Sequence, residues 1–197
     1  MTPPISVLPH FQAAVIFTGH MIDLASRHHP RFPPTMEKLA ADKIYAQIAE
    51  FSARCDGTLV GIASAARGGD ILFHEACSRL DVPTVLVLPF GVEEFLERSV
   101  RGVKCGNWEA RFTVLWNRLP SEARIILEGG HDSDPFGTCN RAMLSLALRI
   151  GAKIKLLALW DGSDTGKPGG TAAFVEEVRS IGGCVSHLDS RSLLAAS

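Results

Sequence analysis

The run Ser64-Ala65-Ala66-Arg67-Gly68-Gly69-Asp70 holds the densest potential chemistry in this 197-residue chain. It follows an apolar, strand-like stretch (Thr58–Ala63) and opens a helix-like one (Ile71–Leu80). A turn of small residues ahead of a helix presents backbone N–H groups to an anion, and the helix dipole adds partial positive charge there. Arg67 adds a guanidinium able to grip the same anion at two points. Ser64, Ala65, Arg67, Gly68, Gly69 and Asp70 are therefore candidates for holding the phosphate of a nucleotide or sugar. The same residues also fit a plain strand-to-helix turn in which Asp70 takes first-turn N–H groups.

A second turn of this kind follows the strand-like run Lys153–Trp160. It reads Asp161-Gly162-Ser163-Asp164-Thr165-Gly166-Lys167-Pro168-Gly169-Gly170-Thr171. Its glycines allow close backbone approach, and Thr171 is placed to donate or to cap the next helix. Asp161, Gly162, Gly169, Gly170 and Thr171 join the candidate set; a flexible turn with Thr171 as N-cap remains the alternative. Neither turn is a Walker A loop or a GxGxxG fingerprint, which lowers the case for nucleoside triphosphate hydrolysis and for redox dinucleotides. No Ser-His-Asp or Cys-His arrangement, Gly-x-Ser-x-Gly elbow or zinc-ligand spacing is present, so neither a metal nor a cofactor is expected. Glu75, Glu93, Glu94 and Glu176 are further carboxylates for ribose hydroxyls or general-base work. His74, four residues after Asp70, predicts a local pair with it on one helical face. Among the aromatic residues Phe90 is the candidate to stack on a base, while Phe95, Trp108, Phe112 and Trp116 read as core.

These groups are positioned by alternating strand-like and helix-like stretches. Strands are predicted at Ala13–Thr18, Thr58–Ala63, Thr84–Leu88, Ala123–Leu127, Lys153–Trp160 and Cys184–Leu188. Helices are predicted at Met36–Arg54, Gly69–Leu80, Val92–Val100, Trp108–Leu119, Asp134–Ile150 and Thr171–Ile181. The pattern implies an α/β, Rossmann-like, mostly parallel sheet with helices on both faces. Such sheets bind ligands at the carboxyl ends of their strands, which gathers Gly19 and His20, the Ser64 turn, Pro89 and Phe90, and the Asp161–Thr171 loop onto one rim.

The length suits one domain spanning 1–197, with the termini (1–10 and 189–197) expected to fray. Hydrophobic residues make up 46% and charged residues 21%, an ordinary globular balance. The net charge of −1 offers no electrostatic footprint for DNA or an anionic membrane, so nucleic acid is not the expected partner. Five separated cysteines, the odd count and the absence of a basic leader point to buried free thiols in a cytoplasmic protein, and no run is long enough to span a bilayer.

Ala66-Arg67-Gly68-Gly69-Asp70-Ile71-Leu72-Phe73-His74 resembles the Ala-Arg-Gly-x-Asp-x-x-x-His signature of the DNA-processing Smf/DprA proteins. Pro168-Gly169-Gly170 with Glu176 resembles the Pro-Gly-Gly-x-Gly-Thr-x-x-Glu motif of the lonely-guy phosphoribohydrolases. Both groups belong to the SLOG superfamily of Rossmann-like nucleotide-binding domains. The chain looks closer still to a bacterial SLOG-type module found alone or fused to signalling domains. The marks are Gly19-His20-Met21-Ile22-Asp23, Arg31-Phe32-Pro33, Ser64–Glu75, Leu88-Pro89-Phe90, and Leu159-Trp160-Asp161-Gly162 ahead of Gly169-Gly170-Thr171. The resemblance, over Phe17–Glu176, implies phosphate contacts at both turns and a base and ribose between these turns and the Gly19 and Phe90 loops. It implies a sensor or regulatory module for a nucleotide or nucleotide-derived signal, a homodimer by analogy, and an effector protein as a further partner. The alternative it implies is a hydrolase cleaving the N-glycosidic bond of a nucleoside monophosphate, with Glu176 and Arg67 as catalytic residues. Two departures weaken that alternative. The motif's later glycine and threonine fall on Ala172 and Ala173, and Arg67 is the sole candidate for the catalytic arginine.

Overall fold

The computed structural model describes residues 11–55, 58–127, 133–150, 153–163 and 170–195. Its centre is one six-stranded sheet built from β1 (Ala13–Gly19), β2 (Leu59–Ala63), β3 (Thr84–Leu88), β4 (Arg124–Ile126), β5 (Lys153–Trp160) and β6 (Cys184–Asp189). Every pairing is parallel and the order is β4-β3-β2-β1-β5-β6. The chain steps outward from β1 to β4, then returns to place β5 on the other side of β1. The switch point of this doubly wound sheet is therefore the β1–β5 seam, where Gly19 lies opposite Leu159.

The helices are α1 (Glu37–Ala53), α2 (Gly69–Arg79), α3 (Val92–Phe95), α4 (Trp108–Arg118), α5 (Pro135–Ile150), α6 (Thr171–Ser180) and α7 (Ser190–Ala195). Strand periodicity sorts the apolar residues between two cores. Ala13, Val15 and Phe17 of β1, with Leu157 and Leu159 of β5, pack against Ile44 and Ile48 of α1, Phe73 of α2 and Phe112 of α4. The alternate residues, Ala14, Ile16, Leu156 and Ala158, pack against Met143 and Ala147 of α5 and Phe174 and Val178 of α6. Covering both faces explains why the central strands read as continuous apolar runs rather than alternating ones.

Beyond Leu188, β6 extends to Asp189, whose carboxylate accepts the Arg191 N–H (3.0 Å), and α7 then buries Leu193 in the first core. Two expectations are corrected. Val92–Val100 is two pieces, because α3 passes into a π-helical turn at Leu96–Val100. The cysteines are not uniformly buried: Cys77 and Cys139 are, Cys55 is half-buried, and Cys105 and Cys184 are exposed. No helix among the described residues is long and apolar enough to cross a membrane.

Candidate functional site

A cavity of about 240 Å³ opens at the carboxyl edge of the sheet. Thr18 and Gly19 come from the end of β1, Ser64 from the β2–α2 connection, Asp70 from the first turn of α2, and Gly170 and Thr171 from the start of α6. The remaining wall includes Ser99 from the π-helical turn and Phe136, Cys139, Asn140 and Met143 from the first turns of α5. The N-terminal ends of α2, α5 and α6 therefore converge on one crevice. Helices that follow parallel strands begin at the strands' carboxyl edge, so their partial positive ends gather there. Two larger grooves, each about 550 Å³, lie elsewhere. One runs along α2 and α4 past Glu75 and Arg111, the other between Asp23–Pro34 and Gly102–Cys105. Neither is lined by the carboxyl end of a strand, so size is a poorer guide here than position.

The Ser64–Asp70 turn is stitched into the fold. Gly68 has φ +94°, and a Cβ there would lie 2.6 Å from the Ile22 nitrogen. That close approach lets Ile22 N–H donate to Arg67 O (3.2 Å) and Gly69 N–H donate to His20 O (3.3 Å). Arg67 N–H donates to Ser99 O (2.9 Å), and Ala66 N–H donates to Asp70 Oδ2 (3.1 Å). Much of the amide cradle expected for a phosphate is thus occupied from within. The Arg67 side chain, 5% exposed, also turns inward: Nε donates to Ile22 O (3.1 Å) and Nη1 to Arg101 O (3.0 Å). Arg67, Gly68 and Gly69 hold the turn in place, Ala65 is buried in the core, and none of the four lines the cavity.

His74 does not pair with Asp70 as its spacing suggested. Its Nε2 lies 2.8 Å from Ser64 O, and burial holds its pKa down to about 4, so the imidazole is neutral. Asp70 is 9% exposed and lines the cavity; burial pushes its pKa up to about 7, against the opposing pull of the Ala66 N–H.

The α6 end is different. Gly170 is extended (φ −70°, ψ 165°), no side chain among the described residues caps the helix, and Thr171 opens α6 facing the cavity. Gly169 lies outside the described residues. Asp161 and Gly162 stand beside the crevice rather than in it. Asp161 N–H donates to His20 Nε2 (3.3 Å), and the Asp161 carboxylate accepts the Ser163 amide and hydroxyl (3.0 and 2.6 Å). His20 Nε2 also lies 3.5 Å from Asp161 Oδ1, too long beside an accepted N–H to count as an ion pair. Burial, then the charge of Arg31, keeps His20 below its ordinary pKa, consistent with a neutral ring.

Other predicted residues are placed away from the cavity. Phe90 is 6% exposed, its ring near those of Phe95 and Phe136 and under the Arg98 guanidinium (4.5 Å), so it is core with Pro89 buried beside it. Glu176 is exposed on α6 and paired with Arg179 (2.7 Å). The Gly19–Asp23 and Arg31–Pro33 marks do meet: Asp23 Oδ2 accepts the N–H groups of Arg31 (2.7 Å) and Phe32 (2.8 Å), closing their loop. Sequence reading missed the α5 wall and Ser99. A signal for α5 was present, since Asp134-Pro135 is an N-cap followed by proline at the first helical position, and the Asp134 carboxylate accepts Gly137 N–H (3.0 Å).

Fold and crevice together define an α/β protein of the Rossmann-like class with a ligand-sized cleft at its switch point. No protein-family model matches the chain, and no curated protein matches it. Among solved structures it is similar to the DNA processing protein A (DprA) of Streptococcus pneumoniae, with a TM-score of 0.37 and 14% identity over 94% of this chain. The chain spans 61% of the length of that protein. A likeness of that size bears on neither site nor activity, and the fold class stands on the strand order itself.

Proposed function

We propose that the crevice binds a nucleotide or nucleotide-derived small molecule and that the protein acts as a sensor or regulatory module. The observation that carries this reading is the convergence of three helix N-termini on one cavity at the switch point, with no side chain among the described residues capping α6. Backbone amides and dipoles in that arrangement suit a phosphate at Gly170 and Thr171. The hydroxyls of Ser64 and Thr18 and the amide of Asn140 supply polar contacts, and the half-exposed Phe136 ring offers a surface for a base. Glu176 and Arg67, the pair a glycoside-cleaving reaction would have used, both lie off the cavity, which favours binding over turnover. Homodimerisation and an effector partner remain part of this reading. The test is a thermal-shift panel of AMP, GMP, cyclic AMP, ADP-ribose and a short single-stranded DNA, each at about 1 mM, followed by chromatography of each mixture. A raised melting temperature with the nucleotide recovered intact is expected. Recovered base and sugar phosphate would make the protein an enzyme, and a shift with DNA alone would redirect the reading to nucleic acid.

A further inference from the structure

Among the described residues Asp70 is the one carboxyl group lining the crevice, and no lysine or arginine among them lines it. The described side chains around it supply no compensating charge. From α2 itself, His74 is held on Ser64 O and kept neutral by burial. From the loop after β1, His20 is depressed below its ordinary pKa by burial and Arg31. From α5, burial and the neighbouring Asp70 raise the Cys139 thiol to about 12, so it is neutral too. Arg67 points to the Ile22 and Arg101 carbonyls, while Arg98 sits over the Phe90 and Phe136 rings and pairs with Glu94. Asp161 is spent on Ser163 and faces His20. A second polar group at the same wall lacks a partner. Ser99 is 1% exposed, lines the cavity, and its hydroxyl makes no hydrogen bond among the described residues.

A buried unpaired hydroxyl is costly unless something meets it, which marks this wall as built to be occupied. An anionic occupant would then share a dry crevice with Asp70. Two anions in such a space repel strongly unless a proton or cation lies between them. Resting on the nucleotide-binding reading above, we propose that Asp70 is the specificity-determining residue of the crevice: it takes a phosphate-bearing ligand together with one proton, held between the carboxyl group and the ligand. Asp70 then donates to a phosphate oxygen, or accepts from a protonated phosphate monoester, with Ser99 completing the contact. The elevated pKa of Asp70 in the empty protein already leans the same way. Ligands whose polar groups are only hydroxyls would use an ionised Asp70 as acceptor and lose affinity as the pH falls, the opposite sign.

The experiment is isothermal titration calorimetry with the strongest binder of the nucleotide panel, in EDTA, using paired buffers of different ionisation enthalpy. Wild-type protein should take up close to one proton per ligand near pH 8, beyond the ligand's own protonation. Its affinity should weaken roughly tenfold more than that of Asp70→Asn between about pH 6 and about pH 8. The proton count needs no variant, so poor folding of Asp70→Asn leaves the proposal testable. Binding without proton uptake, equal pH dependence in both proteins, affinity that rises with pH, or binding only with added magnesium would each overturn it. If no panel member binds at either pH, the nucleotide reading has itself failed. Binding with the wrong proton count leaves that reading standing and removes only this one.

Discussion

The two glycine-rich turns look alike in sequence and do different work. Both follow a buried parallel strand, both carry paired glycines, and both open a helix at the same edge of the sheet. At the β2–α2 turn the amides of Ala66, Arg67 and Gly69 are spent on Asp70, Ser99 and His20, and the arginine is spent on two carbonyls. At the start of α6, Gly170 is extended, no side chain among the described residues caps the helix, and Thr171 faces the cavity. A run of small residues lets backbone approach something closely, but it does not say whether that something is another backbone or a ligand. In the first turn it is Ile22, 2.6 Å from where a Cβ on Gly68 would stand.

The contrast can be broken most visibly at Arg67. Arg67→Ala orphans the Ile22 and Arg101 carbonyls and should cost about 3 kcal/mol of stability in urea unfolding, through the lost charged hydrogen bonds. If the variant instead keeps its stability and loses nucleotide affinity, the turn is a ligand cradle after all.

The next effect separates Asp70 from its neighbour. Asp70 binds its proton more tightly folded than unfolded, so its stabilising contribution is full below its ordinary pKa of 3.8 and is lost as pH rises through about 7. His74 runs the other way: its contribution is full above 6.5 and is lost as pH falls through about 4. Over the shared window the two slopes oppose one another. Asp70→Asn removes one of them, so lowering the pH from about 6.5 to about 4 should destabilise the variant relative to wild type by about 3 kcal/mol. Parallel pH–stability curves for the two proteins would show that Asp70 is not buried in this way.

At the other turn, Thr171→Asp puts a negative charge at the start of α6. It should leave the fold intact, with a gain of about 0.5 kcal/mol from the dipole, while weakening nucleotide binding at least about tenfold. Unchanged affinity would move the phosphate away from α6. Glu176→Gln should do the least, changing stability by less than about 0.5 kcal/mol. It should leave ligand affinity unaltered, because Glu176 is exposed and off the crevice. Loss of nucleotide cleavage in this variant would restore the hydrolase reading.

Much was legible from the chain alone. The runs at Thr84–Leu88 and Lys153–Trp160 have the observed strand bounds, because strands covered on both faces are apolar along their buried part, the lysines of β5 standing at its less buried start. Helix starts at Gly69, Trp108 and Thr171 are likewise as expected, each following a loop of glycine or asparagine. Ser64, Asp70, Gly19, Gly170 and Thr171 do meet at one crevice, since parallel strands deliver their following loops to one edge.

What the sequence could not settle was the direction in which each group faces. The type of Arg67 suits a phosphate, yet its partners are carbonyls at Ile22 and Arg101, far along the chain. Phe90 suits base stacking by its type and loop position, yet Phe95 and Phe136 pack against it and Phe136 takes the exposed place. Helical spacing pairs His74 with Asp70, yet its ring nitrogen meets Ser64 O at 2.8 Å. Local pattern determines which elements form and which loops share an edge, because burial periodicity and strand direction are properties of the chain. Only the tertiary structure decides which amides and side chains are already satisfied, because their partners arrive from distant segments when the sheet order brings β1, β2 and β5 together.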